Sequence, residues 1–183
     1  MISYTVDTQV LNLALTRLEK GISDFSPAWD ACTDAFYRIE VDQFASEGAR
    51  GGARWQALSA GYSGWKDANY GQLPILYLRG NLKQSLLGVG PDAIKVIQSG
   101  FMEVGSRDPK AVWHQLGMGR LPVRKSIDLN PADFTHFGGI AAEFMETVGQ
   151  SAGFETSRSF GPAPTIGSAI RSLLSRFGGA SAA

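Results

Sequence analysis

The chain has 183 residues, of which 44% are hydrophobic and 19% are charged, and it contains 22 glycines. Its 17 basic and 17 acidic side chains balance, which excludes a global attraction to nucleic acid or to a membrane. The single cysteine, Cys32, excludes an internal disulfide. No apolar run approaches the roughly 20 residues that span a bilayer, and the first residues do not resemble a signal peptide. We therefore expect one domain with a substantial core, made in a reducing cytoplasm.

The charges are separated along the chain. Residues 1–47 carry eight acids and three bases, a balance of −5, whereas residues 48–130 carry eleven bases and five acids, a balance of +6. Such an acidic segment and such a basic segment could attract one another between neighbouring subunits. Solvated faces explain the same pattern equally well.

The N-terminal third predicts a short strand and two helices. Ile2–Val6 alternates like an edge strand. The spacing of apolar residues predicts a helix over Gln9–Lys20 that ends at Gly21. Ser26 as N-cap and Pro27 at the first helical position open a second helix. Its core-facing stripe consists of Trp29, Cys32, Phe36, Ile39 and Phe44.

Cys32 lies on that stripe, so we interpret it as a buried, unreactive thiol. The glycine-rich stretch Gly48–Arg54 reads as a flexible basic loop without the lysine and hydroxyl of a P-loop. A short helix through Trp65 should end at Gly71.

The central and C-terminal parts combine a packing block, a hairpin and two helices. Ile75–Leu87 sets apolar residues around an Arg-Gly-Asn turn, and Ser99-Gly100 joins two alternating segments as a two-residue hairpin loop. Asp108-Pro109 caps a helix that runs to Leu116, and another is expected over 132–150. From Glu155 onward the sequence is rich in Ser, Gly, Pro and Ala, which predicts a loosely attached tail with one short amphipathic helix or, equally, a tail that is disordered throughout.

Catalytic and metal motifs are not recognisable in the sequence. His114 and His136 lie in different segments, and neither has a partner at a metal-ligand spacing. We therefore predict no metal, no cofactor and no enzymatic activity, and we interpret His114 as a packed histidine. A hydrolase whose triad assembles only in three dimensions remains an open alternative.

Two charged clusters are candidate surfaces. The basic cluster could line a DNA channel and attract duplex DNA non-specifically, or it could face solvent or a neighbouring subunit. Its members are Arg107, Lys110, Arg120, Arg124 and Lys125. The candidate acidic intersubunit face consists of Asp34, Asp42 and Glu47.

Five short sequence blocks recur in a known order. They are Trp55-Gln56-Ala57-Leu58-Ser59, then Ile75-Leu76 with Arg79-Gly80-Asn81-Leu82 and Ser85-Leu86, then Val104-Gly105-Ser106, then Trp113-His114-Gln115-Leu116-Gly117, and then Pro122-Val123-Arg124. In this order the chain resembles the tailed-phage virion morphogenesis family, which includes the phage Mu G-like proteins and the P2 S-like tail completion and neck proteins. The blocks cover about half of the chain.

The resemblance implies a structural virion protein without enzymatic activity. Such a protein would sit at the neck or the head-proximal end of the tail and help to join the tail to the head, after assembly in the bacterial host cytoplasm. Its partners would be copies of itself in a ring, commonly a hexamer, a head-closure or connector protein, a tail terminator or tail tube protein, and, transiently, duplex DNA. Alternatives are a tail terminator ring and a non-virion DNA-binding ring.

The expected fold class is α+β, with helices packed on a small, mostly antiparallel sheet. We assign residues 1–153 to the virion morphogenesis domain. Residues 154–183 form the Gly/Ser/Ala/Pro-rich tail.

Overall fold

The computed structural model describes residues 8–154, and within them it has the predicted α+β fold. Helices surround one antiparallel β-hairpin. In chain order the elements are α1 Gln9–Ile22, α2 Ser26–Ala45, α3 Ala60–Tyr70, α4 Asn81–Leu86, β1 Ala93–Ile97, β2 Met102–Ser106, α5 Pro109–Leu116 and α6 Pro131–Ala152. The predicted strand Ile2–Val6 and the predicted tail from Glu155 lie outside the described residues.

Helix α2 is the central element of the fold and packs against α6, α4 and the hairpin. It begins with Phe25 at the N-cap, one residue before the predicted position, while the Asp24 carboxylate accepts a hydrogen bond from Ser26 N. The predicted apolar stripe is confirmed, since Cys32, Phe36 and Ile39 are buried. Burial also raises the pKa of the Cys32 thiol, which keeps it protonated and unreactive.

The predicted end of α1 at Gly21 is wrong, because the helix continues to Ile22. Gly21 instead lies against α6, where an added Cβ would overlap Val148 Cγ1. The glycine therefore allows two helices to approach closely. The apolar residues Val10 and Leu11, expected on one face of α1, are 76% and 52% exposed.

The hairpin has the predicted two-residue loop. Ile97 pairs with Met102, and Gln98 N donates to Phe101 O at 2.9 Å, which leaves Ser99-Gly100 at the tip. Phe25 N donates to Ser99 O at 3.0 Å, so the tip of the hairpin is attached to the start of α2.

The block Ile75–Leu87 forms part of the hydrophobic core, as predicted. Gly80, with φ 82°, turns the chain into α4, and Leu82 and Leu86 of that helix are buried. They pack with Phe44 and Trp55, whose rings meet edge to face at 5.4 Å between centroids. This cluster joins the C-terminal half of α2 to α4.

Side-chain caps fix the starts of the last two helices. Asp108 accepts a hydrogen bond from Lys110 N at the start of α5. Asn130 and Asp133 form a reciprocal capping box at the start of α6. Among residues 8–154, no helix has both the length and the apolar character that a bilayer crossing needs.

Candidate functional site

A groove of about 1080 Å³ lies between α3, the start of α4 and α5. Its walls come from four separate stretches of chain. The lining residues are Gln56, Ala57, Leu58, Ser59, Tyr62, Lys66, Leu76, Tyr77, Leu78, Arg79, Gly80, Asn81, Leu82, Lys110, His114, Arg120, Leu121, Pro122 and Arg124.

One wall of the groove is the extended segment 121–127, which α5 holds in place. Arg124 N donates to His114 O at 2.8 Å. The Gln115 side chain donates to Ile127 O at 2.7 Å and accepts from Ile127 N at 3.1 Å, so it binds the segment like a neighbouring strand. From the other side, Trp55 Nε1 donates to Lys125 O at 2.9 Å. The block residues Trp55, Gln115 and Arg124 thus meet in space.

Arg124 is a buried cation in the groove wall. It is 5% exposed, and its Nε and Nη2 donate to Gln56 O at 2.8 Å and Ala57 O at 3.2 Å. Within the described residues it forms no ion pair with a carboxylate. Desolvation by burial lowers the pKa of Arg124, although a guanidinium stays charged at neutral pH.

Lys66 is a second buried cation, on the opposite wall. It is 2% exposed, and its Nζ donates to Leu73 O at 2.9 Å and Pro74 O at 2.7 Å. Burial lowers the pKa of Lys66, whereas the negative charges of Asp67 and Glu47 act in the opposite direction and raise it. In the part of the chain that the structure describes, it too has no ion-pair partner.

Three further basic side chains line the groove, and no aspartate or glutamate of residues 8–154 belongs to the lining. Arg79 and Arg120 are exposed, while Lys110 pairs at 2.8 Å with Asp108. The groove therefore has an apolar and aromatic lining with a surplus of positive charge.

His114 faces the groove as a neutral side chain. Its Nδ1 is buried and has no hydrogen-bond partner among the described residues. Burial, followed by the charge of Arg124, lowers the pKa of His114. Ser59 also lines the groove, but its hydroxyl accepts from Tyr62 N, and no carboxylate is available in the lining to complete a triad. Within residues 8–154, no His, Cys, Asp and Glu side chains converge as a metal site would require.

The structure divides the predicted basic cluster. Lys110, Arg120 and Arg124 meet at the groove, whereas exposed Arg107 and Lys125 lie outside it, and Lys125 is 3.5 Å from Asp128. The groove also contains Lys66 and Arg79, which the cluster did not include. Both are distant in sequence from its other members, so linear clustering had no signal for them.

The predicted acidic face is reduced in a similar way. Asp34 and Asp42 are exposed on α2. Glu47 has an internal role, because one oxygen accepts from Ile75 N at 3.0 Å and the other pairs with Arg54 at 3.2 Å. The loop that contains Arg54 is likewise packed, since Gly48 touches Trp55 and Arg50 pairs with Asp133.

Two exposed apolar surfaces accompany the groove. The first, called the α1 surface, consists of Val10, Leu11, Leu13, Leu15 and Ile22. The second, called the α5 surface, consists of Val112, Trp113, Leu116, Met118 and Val123. Leu116 alone is 66% exposed. Scattered apolar residues are ordinary on a protein surface, but two such groups on a small domain indicate contact surfaces.

Comparison with known proteins adds no assignment. No protein-family model, no curated protein and no solved structure matches this chain.

Proposed function

We propose that this protein is a structural subunit of a homo-oligomeric ring at the neck or head-proximal tail of a tailed virion or a related particle. In that place it would help to join the tail to the head around the DNA channel. The observation that carries the proposal is the pair of exposed apolar surfaces on α1 and α5.

The two surfaces suit a ring because they differ and lie on separate helices. Helix α1 leads directly into the start of α2, whereas α5 packs through Ala111 beside Phe44, close to the end of α2. Helix α2 has 20 residues and is therefore about 30 Å long. Contact between two different faces of successive copies is heterologous, and a heterologous contact closes into a ring when its rotation permits.

The neck position rests on the order of the five sequence blocks, and the fold gives those blocks a shared role. Trp55 and Gln115 bind the backbone of segment 121–127, and Arg124 of that segment binds the backbone of Gln56, which favours their interpretation as a structural set. The exposed Arg107 and Lys125, outside the groove, are available for transient contact with duplex DNA.

Native mass spectrometry and negative-stain microscopy of the full chain test the ring. We expect a closed cyclic oligomer, disrupted by Leu11→Glu on the α1 surface and by Leu116→Glu on the α5 surface. Val89→Glu is the matched control, because Val89 is 56% exposed and belongs to neither surface.

Mixing the two disrupted variants tests the heterologous contact itself. Each variant keeps the surface that the other has lost, so a one-to-one mixture should form heterodimers and no rings. Rings that survive both substitutions, or a mixture that stays monomeric, would refute the proposed contact. Labelling a tagged chain in assembled particles then tests the neck position.

A further inference from the structure

The groove between α3, α4 and α5 is concave and positively charged, and the proposed ring contact does not involve it. We propose that it binds a peptide segment of another protein, and that this segment carries both acidic and apolar side chains. The inference goes beyond the proposed ring, since the groove belongs to a single subunit.

Two buried cations that form no ion pair among the described residues are the first support. Lys66 and Arg124 are 2% and 5% exposed, and both donate to backbone carbonyl groups alone. Burying a charge without an opposite charge is unfavourable, and a carboxylate within reach would reduce that penalty. The two hydrogen bonds of Arg124 use two of its five N–H donors, which leaves others for a ligand.

The second support is the rim, where Arg79 and Arg120 are exposed and form no ion pair among the described residues. Lys110 also lines the groove, where Asp108 pairs with it, and among the described residues no acidic one belongs to the lining. An anionic segment would be attracted to this opening and would exchange water for charge-assisted hydrogen bonds.

The apolar lining favours a peptide over a nucleic-acid backbone as the ligand of the groove. Leu58, Leu78, Leu121 and Tyr62 contribute hydrocarbon surface between the cations. A nucleic-acid backbone would leave those leucines uncovered, whereas a segment with acidic and apolar side chains would satisfy both parts of the lining.

This chain does not supply a suitable segment. The exposed leucines of α1 accompany Arg17, Glu19 and Lys20, which leaves that helix with a net positive charge. The exposed acids of α2 accompany a single large exposed apolar residue, Val41. By sequence, residues 155–183 hold three arginines and one glutamate, and residues 1–7 hold one acid. Helix α6 does combine exposed Glu143 with exposed Met145, but it packs along α1 and α2 as part of the fold. We therefore assign the occupant to a different protein.

Selection from a random library of displayed 12-residue peptides, against the full chain, is the first test. We expect the selected peptides to be enriched in aspartate and glutamate together with leucine or aromatic residues. Arg79→Ala combined with Arg120→Ala should abolish that enrichment. Peptides without an acidic bias, or unchanged selection against the double variant, would overturn the proposal.

Fluorescence anisotropy with one selected peptide measures the charge dependence directly. Replacing its acids with amides should weaken binding about tenfold or more, and Arg79→Ala and Arg120→Ala should each weaken it about fivefold. Arg107→Ala is the matched control: it is basic and exposed but outside the groove, so binding should stay within about twofold. Equal affinity for the amide peptide contradicts the inference.

Two further measurements separate the inference from its alternatives. A 24-base-pair duplex should not displace the peptide from the groove, and displacement that depends on Arg79 and Arg120 would instead assign the groove to DNA. Native mass spectrometry of the same double variant should show unchanged rings. Loss of rings together with the peptide would show that the groove is part of the subunit contact, which overturns the proposal of a separate partner.

Discussion

Replacing Glu40 with glutamine should remove a pH-dependent weakness from the centre of the fold. Glu40 lies on the buried side of α2 and has no exposed surface, and neither carboxylate oxygen has a hydrogen-bond partner. Burial raises its pKa from 4.5 to about 8, with Arg50 lowering the value and Asp133 raising it. At neutral pH the folded protein therefore keeps this side chain protonated.

The sign and the size of the effect follow from linkage. Because the folded-state pKa lies above the unfolded-state value, the folded state binds the extra proton between the two values. The associated stability is fully present below 4.5 and is lost as pH rises through about 8. Between pH 5 and pH 8 the free energy of unfolding should fall by about 3 kcal/mol from this group.

Urea unfolding at fixed protein concentration, at half-unit steps from pH 5 to pH 8.5, measures this dependence. Wild type should lose stability across the range, and Glu40→Gln should be flatter by about 3 kcal/mol. The two proteins should be similar at pH 5, where the buried carboxyl is neutral. Asp42→Asn, an exposed carboxylate on the same helix, should keep the wild-type slope. Equal slopes for wild type and Glu40→Gln would refute the assignment of a neutral, buried acid.

Three other substitutions test how the helices and the segment 121–127 are held in place. Gly21→Ala should destabilise the fold by about 1–3 kcal/mol in urea unfolding, because its methyl group would overlap Val148, whereas Gly64→Ala, with open space around it in α3, should stabilise by about 0.5–1 kcal/mol. The opposite order would contradict the close packing of α1 on α6. Gln115→Ala should lower the free energy of unfolding by about 2 kcal/mol, since both of its bonds to Ile127 disappear. A loss below about 0.5 kcal/mol would mean that the segment is held by other contacts.

Local chemistry made several elements predictable. The two-residue loop at Ser99-Gly100 and the cap at Asp108 depend on residues within a few positions of each other, so periodicity and turn rules were sufficient. Gly21 misled the same rules, because a glycine that ends a helix and a glycine that admits a neighbouring helix look identical in sequence. The presence of Val148 on α6 decides between them.

The residues of the candidate site were also only partly predictable from local sequence. The basic cluster predicted from the sequence includes Lys110, Arg120 and Arg124, which line the groove. It also includes Arg107, which lies outside the groove. Lys66 could not be found in that way, since its place opposite Arg124 depends on how α3 packs.

By itself the sequence determined the α+β class, the hairpin and the core role of Ile75–Leu87, because the period of apolar residues and the chemistry of turns are local properties. Tertiary structure alone decided which charges are free. Glu47 and Arg124 count as surface charges in a sequence, yet the first is bonded to Ile75 N and the second is buried. Whether a side chain keeps its water depends on what packs over it, and for this protein that packing reduces the expected acidic face and brings five basic residues, three of them from the predicted cluster, to one groove.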